Sequence, residues 1–135
     1  MANALYDKAR EAFLNADIDW SADDIRVILV DAADYTFSSA HEFLASIAGG
    51  ARVAVTDALQ NKTATNGAAD ADDITFSSVT GDASEALVIY KHTGSDATAR
   101  LIAYIDTGYT GLPVTPNGGN ITINWPSGSD KIFKL

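Results

Sequence analysis

From Arg52 onward no segment of this chain shows helical periodicity, and apolar residues come instead in short runs separated by residues that turn a backbone. The runs cover 52–56, 62–65, 74–76, 85–91, 100–106, 120–125 and 131–135. Between them stand Asn66-Gly67, Thr80-Gly81-Asp82, Thr93-Gly94-Ser95-Asp96, Asn117-Gly118-Gly119-Asn120 and Pro126-Ser127-Gly128-Ser129-Asp130. These residues tolerate positive φ or hydrogen-bond their own backbone. A chain patterned this way turns back on itself as short antiparallel strands.

The parity of the apolar residues says how deep each strand lies. Runs 85–91 and 100–106 are joined by eight turn-forming residues and read as a hairpin. Leu87 and Ile89 share a face with Leu101, Ala103 and Ile105, while Val88, Tyr90, Ile102 and Tyr104 take the reverse. Apolar residues on both faces place the hairpin in a sheet covered on two sides. Ile25-Arg26-Val27-Ile28-Leu29-Val30 carries the same signature of a central strand. Ile121, Ile123 and Trp125 alternate with Thr122 and Asn124, which marks a strand with one wet face.

Helical signals are confined to the first third. Leu5, Ala9, Ala12 and Phe13 recur at helical spacing, so a helix is expected over 4–14 with Asn3 as N-cap and Asn15 at its end. Ser39 followed by Glu42 matches a capping box, and Phe43, Leu44 and Ile47 supply an apolar face. A short internal helix near 39–47 is therefore expected, stopped by Gly49-Gly50. The expected fold is mainly β (α+β): an antiparallel β-sandwich or partly open barrel of about seven to eight short strands with these two helices. With no linker, composition shift or internal repeat, residues 1–135 read as a single domain.

Composition narrows the function classes. A chain near 150 residues buries about 68–70% of its unfolded surface, enough for one core without metal or disulfide support. There is no cysteine, so disulfides, zinc–thiolate sites, iron–sulfur clusters and a cysteine nucleophile are excluded. No apolar run approaches the roughly 20 residues of a membrane helix, and residues 1–4 lack the charged start and apolar stretch of a signal peptide. The net charge is −9, and the nine basic residues are scattered without a stripe. Neither nucleic acid nor an anionic membrane is an expected partner. The excess of acid suits solubility, or a basic partner surface.

Candidate chemistry is sparse. His41 stands beside Glu42 and two residues after Ser39, but helical neighbours one or two apart do not face each other, and the Gly-x-Ser-x-Gly elbow is missing. His92 reads as a solvated strand-end residue. Asp70, Asp72 and Asp73 are weak calcium candidates, since alternating carboxylates on a loop can surround the ion. They lack EF-hand spacing and its turn glycine, and a solvated acidic loop is the plainer reading. Asp23-Asp24 and Asp31-Ala32-Ala33-Asp34 read as turn-starting acids. Trp20, Trp125 and Tyr109 can be drawn as a sugar-binding platform, the alternative being core aromatics. No enzyme, cofactor or resident metal is expected from this inventory.

Several segments carry a resemblance over nearly the whole chain. They are Leu5-Tyr6-Asp7-Lys8-Ala9-Arg10-Glu11-Ala12-Phe13, Asp17-Ile18-Asp19-Trp20, Ile25 through Asp31, Ala86 through Lys91, Leu101 through Asp106, and Gly111 through Gly119. In these the chain resembles small virion structural proteins of tailed bacteriophages, of the head decoration or cement type. The resemblance implies a non-enzymatic protein on the capsid surface, made in the host cytoplasm, whose partners are the phage major capsid protein and further copies of itself. It also implies a homo-oligomer, for which a trimer is the working guess. A tail or head–tail connector component is the alternative within the particle, and a carbohydrate-binding or host-adhesion module the alternative outside it. The candidate contact residues are Leu5, Tyr6, Phe13 and Trp20 near the start, and Ile132, Phe133 and Leu135 near the end. Packing of that last segment into the domain's own sheet is the plainer reading.

Overall fold

The computed structural model describes residues 3–107 and 112–135. Within them the chain is mainly β with one α-helix. In order the elements are β1 (Ala4–Leu5), α1 (Asp7–Leu14), β2 (Ile25–Val30), β3 (Arg52–Val55), β4 (Ala68–Ala69), β5 (Ile74–Phe76), β6 (Ala86–Lys91), β7 (Leu101–Ile105), β8 (Ile121–Ile123) and β9 (Phe133–Lys134). Five strands make one sheet in the order β1-β7-β6-β2-β3, and β4–β9 and β5–β8 form two-stranded pairs beside it. All the pairings are antiparallel. The architecture is sandwich-like α+β and not a closed barrel, since β1 and β3 each have a single neighbour in the main sheet.

The double-sided burial expected of β2, β6 and β7 is what the fold uses. Every residue of β7 is buried, as are Ala86 through Tyr90 of β6 and all of β2 except Arg26. Side chains of both parities can be apolar only if each face is covered. Part of the cover comes from α1, which packs on β7 through the buried Ala9 and Ala12, side chains small enough for close approach. More comes from the loop after β2, where Phe37 lies 5.0 Å from the ring of Tyr6 and 5.1 Å from that of Tyr104. Burial of each large side chain stabilises by roughly 1.5–3 kcal/mol, so these three strands supply a large share of the fold's driving force.

Two bulges refine the register. Between Ile89 and Tyr90 the pairing to β7 shifts so that Leu101 opposes Tyr90, and Ile102 is the extra residue. Leu101 therefore does not share the face of Leu87 and Ile89, as strict alternation predicts. A second shift between Leu29 and Val30 leaves Val53 as the extra residue of β3.

Both helical expectations need correction. Residues 4–5 are a strand, and the helix starts at Asp7 with Tyr6 as its N-cap and no side-chain cap. Asn3 is not that cap. Its side chain accepts the N–H groups of Asp106 and Thr107 and donates to the Thr107 carbonyl, tying the chain start to the end of β7. The internal helix near 39–47 does not form. Phe43 is extended and bridges Arg100, and only Leu44–Ser46 makes a single 3-10 turn. The backbone donors there have better partners: Leu44 N–H goes to Ala99 O and Ala45 N–H to Asp96 O. Glu42 reaches the Arg100 guanidinium at 3.0 Å instead of capping. Tertiary pairing with the β6–β7 loop thus overrides a local helical pattern. Residues 62–65, expected as a strand, contribute a lone bridge, Thr63 to Asp70.

Candidate functional site

The surface most able to meet a partner lies where α1 ends beside β9. The helix is closed by a left-handed residue, Ala16 at φ 61°. Asp17 N–H bonds back to Ala12 O and Ala16 N–H to Phe13 O, a Schellman pairing that satisfies the last carbonyls. This abrupt stop leaves Leu14 on the side of α1 away from its buried alanine stripe, 87% exposed. Alongside, β9 pairs with β4 through Ala68–Lys134 and Ala69–Phe133, and Leu135 N–H bonds Gly67 O. The Phe133 ring is held between Phe13 at 6.2 Å and Trp20 at 5.3 Å. Leu135, one pleat beyond it, is left 61% exposed.

Together Leu5, Phe13, Leu14 and Leu135 line a shallow groove of about 350 Å³, with Arg10 and Lys134 on its rim. The groove is continuous with a second one along the outer side of β1, which adds Lys131 and one acid, Asp130, and again includes Leu5, Arg10 and Lys134. Arg10 has only a long contact to Asp7, at 3.6 Å and exposed. Lys131 and Lys134 have no ion pair among the described residues. In a chain of net charge −9 this is a locally basic, apolar surface.

The expected contact residues separate into two groups. Leu5, Tyr6, Trp20 and Ile132 are buried in the core and expose little surface of their own, although Leu5, Trp20 and Ile132 still line surface grooves. Phe13 and Phe133 are half-buried against the core, and Leu135 is open. The residue that the sequence reading passes over is Leu14. Its signal was available, because a leucine two positions after the buried Ala12 falls on the opposite side of a helix.

The calcium candidates do not converge. Asp72 accepts from Asn61 Nδ2 at 2.6 Å, and Asp73 takes the backbone N–H of Trp125 at 2.8 Å. Asp70 contributes its backbone, accepting from the Trp20 indole and pairing with Thr63. Among the described residues the acidic side chains whose oxygens do gather, within 4.8 Å of one another, are Asp31, Asp34 and Asp82. Asp31 is buried, and its Oδ1 already accepts the Ala33 N–H in a local turn.

The sugar platform also comes apart. Trp20 and Trp125 are both buried, with their indole N–H groups donating to the carbonyls of Asp70 and Asp72. Tyr109 lies outside the described residues. His41 belongs to a hydrogen-bonded chain: its Nδ1 lies 2.8 Å from the Tyr35 hydroxyl, which lies 2.9 Å from the buried Tyr6 hydroxyl. Burial first, then the bond to Tyr35, pushes the Tyr6 phenol far above its ordinary range. No described helix is long and apolar enough to cross a membrane. The chain matches no protein-family model and no curated protein sequence.

Proposed function

We propose that this chain is a non-enzymatic structural protein of a bacteriophage particle, a head decoration or cement protein that stabilises the capsid by binding its subunits and further copies of itself. The observation that carries this reading is the open apolar groove formed by Leu5, Phe13, Leu14 and Leu135, where two of the exposed large apolar side chains among the described residues, Leu14 and Leu135, lie together. A domain of this size that leaves large side chains exposed side by side offers them to a partner. The rest of the molecule suits the task. A sheet buried on both faces resists deformation, a cysteine-free sequence is indifferent to redox conditions, and the acidic surface limits unspecific association.

The resemblance set out above directs the choice of partner, and the buried Trp20 and Trp125 withdraw support from the carbohydrate-binding alternative. Mass spectrometry of purified particles of a phage encoding this chain tests the proposal. The expected result is a copy number comparable to that of the major capsid protein. A number befitting a single ring assigns the chain to the tail or head–tail connector, and absence from the particle overturns the reading.

A further inference from the structure

The main sheet ends in two edges of opposite electrostatic character. Among the described residues the large apolar side chains left exposed are Leu14, Leu135 and Val55, the last 54% exposed. The first two belong to the groove beside β1 and β9, and Val55 stands at the end of β3. Pairing runs Ala4–Tyr104–Val88–Ile28–Val55 in one row across the sheet. With strands about 4.8 Å apart, the two edges lie about 19 Å from each other. One molecule cannot bring them together, whereas two molecules can.

Their charges are complementary. Arg10 and Lys134 rim the groove. Directly after Val55, the chain enters a depression lined by Asp57, Asp72 and Asp73, all exposed. The arginine at the other end of β3, Arg52, is neutralised, bonding Asp96 at 2.9 Å and the carbonyls of Leu44 and Ile47. An edge strand also presents outward N–H and C=O groups, a template for contact with another chain.

We infer that the chain self-associates head to tail, the basic-rimmed groove of one copy receiving the Val55 edge and its acidic flank from the next. Groove against groove sets Arg10 and Lys134 against themselves, and edge against edge does the same to the three aspartates. Like charges opposed across an interface select against both symmetric arrangements. A heterologous contact of this kind closes into a ring or runs on as an open chain, depending on the rotation between neighbours. The inference rests on these two surfaces and not on the virion reading, so the isolated full-length chain tests it separately.

Sedimentation velocity over a wide concentration range reads the association. The wild type is expected to exceed the single-chain mass of 14.2 kDa as concentration rises. Association weakens as sodium chloride approaches about 1 M, where screening acts within about 3 Å. Leu14→Glu disables the groove and Val55→Lys disables the edge, each at an exposed position, and circular dichroism checks that both fold. Leu135→Glu gives the groove arm a second variant. Each variant alone is expected to stay single, and an equimolar mixture of L14E and V55K to form a two-chain species and nothing larger, because each supplies the surface the other lacks. A wild type that stays single at every concentration overturns the inference. So does either variant that still self-associates, which indicates a symmetric interface, or a mixture that fails to pair.

Discussion

Removing one hydroxyl from the Tyr6–Tyr35–His41 chain should have consequences that burial alone ranks in the wrong order. Tyr6 is fully buried and Tyr35 slightly less so, and a ranking by burial makes Tyr6→Phe the worse change. The hydrogen bonds say the reverse. Tyr6→Phe deletes one bond, and the Tyr35 hydroxyl keeps His41 Nδ1 at 2.8 Å as its partner. The loss is about 1 kcal/mol. Tyr35→Phe removes the middle member, breaking both bonds and stranding the Tyr6 hydroxyl where water does not reach. A stranded buried donor adds about 1–3 kcal/mol, for a total of roughly 2–4 kcal/mol. His41, half-exposed, recovers its own bond from solvent. The double variant has no stranded hydroxyl and should cost about 2 kcal/mol, less than the sum of the single changes. Urea denaturation of the four proteins measures this as midpoint shifts at constant slope. The reasoning fails if Tyr6→Phe is at least as destabilising as Tyr35→Phe, or if the two changes simply add.

Other perturbations follow from the same structure. Burial raises the phenol pKa of Tyr6, Tyr35, Tyr90 and Tyr104, so their contribution is complete below the ordinary tyrosine value of about 10 and is lost as pH rises above it. Each should remove about 1.4 kcal/mol of stability per pH unit in that window, and tyrosinate absorbance should appear for these four together with unfolding; their stepwise ionisation in the folded protein would count against it. Ala16→Gly relieves the left-handed Schellman position at φ 61° and should stabilise by about 0.5–1 kcal/mol, read as a higher melting temperature. Ile89→Ala, in the fully buried middle of β6, should cost about 2–5 kcal/mol in chemical denaturation.

The parts of this fold that could be read from sequence are those fixed by side-chain parity. The runs of β2, β6 and β7 are apolar at every position but Arg26 and the terminal Lys91, and such a run has few places to go except between two covers. Ile121 and Ile123 alternate with threonine and asparagine, and that strand does keep one wet side. Residues 39–47 misled because capping chemistry and helical spacing are local signals, whereas Phe43, Leu44 and Ala45 are claimed by Arg100, Ala99 and Asp96 from more than fifty positions away. No window of that length contains its competitor. The candidate contact residues divided for a related reason. A large apolar side chain near a terminus reads alike whether it plugs the core, as Tyr6, Trp20 and Ile132 do, or stands outside it, as Leu135 does. Leu14 differed only by its angle on α1.

Where this molecule can meet a partner is itself a consequence of how its sheet is covered. The two hairpin strands β6 and β7 are sealed on both faces, which removes the broad flat surfaces through which a half-exposed sheet pairs with another. What stays open is the periphery: β1 with the groove that α1 and β9 build beside it, and β3 with its bulge at Val53. Edges offer little area, so charge has a large share in deciding which edge meets which. In that setting the excess of acid gains a direction. Most cations of the body are spent internally, Arg26 on Asp24, Arg52 on Asp96, Lys91 on Asp23 and Arg100 on Glu42. Of the lysines without an ion pair among the described residues, Lys62 donates to the Asp23 carbonyl, while Lys131 and Lys134 sit together beside the apolar groove. In the proposed head-to-tail contact the net charge of −9 disfavours most orientations of two copies and favours those that bring this corner to an acidic edge, and so acts as a filter on geometry.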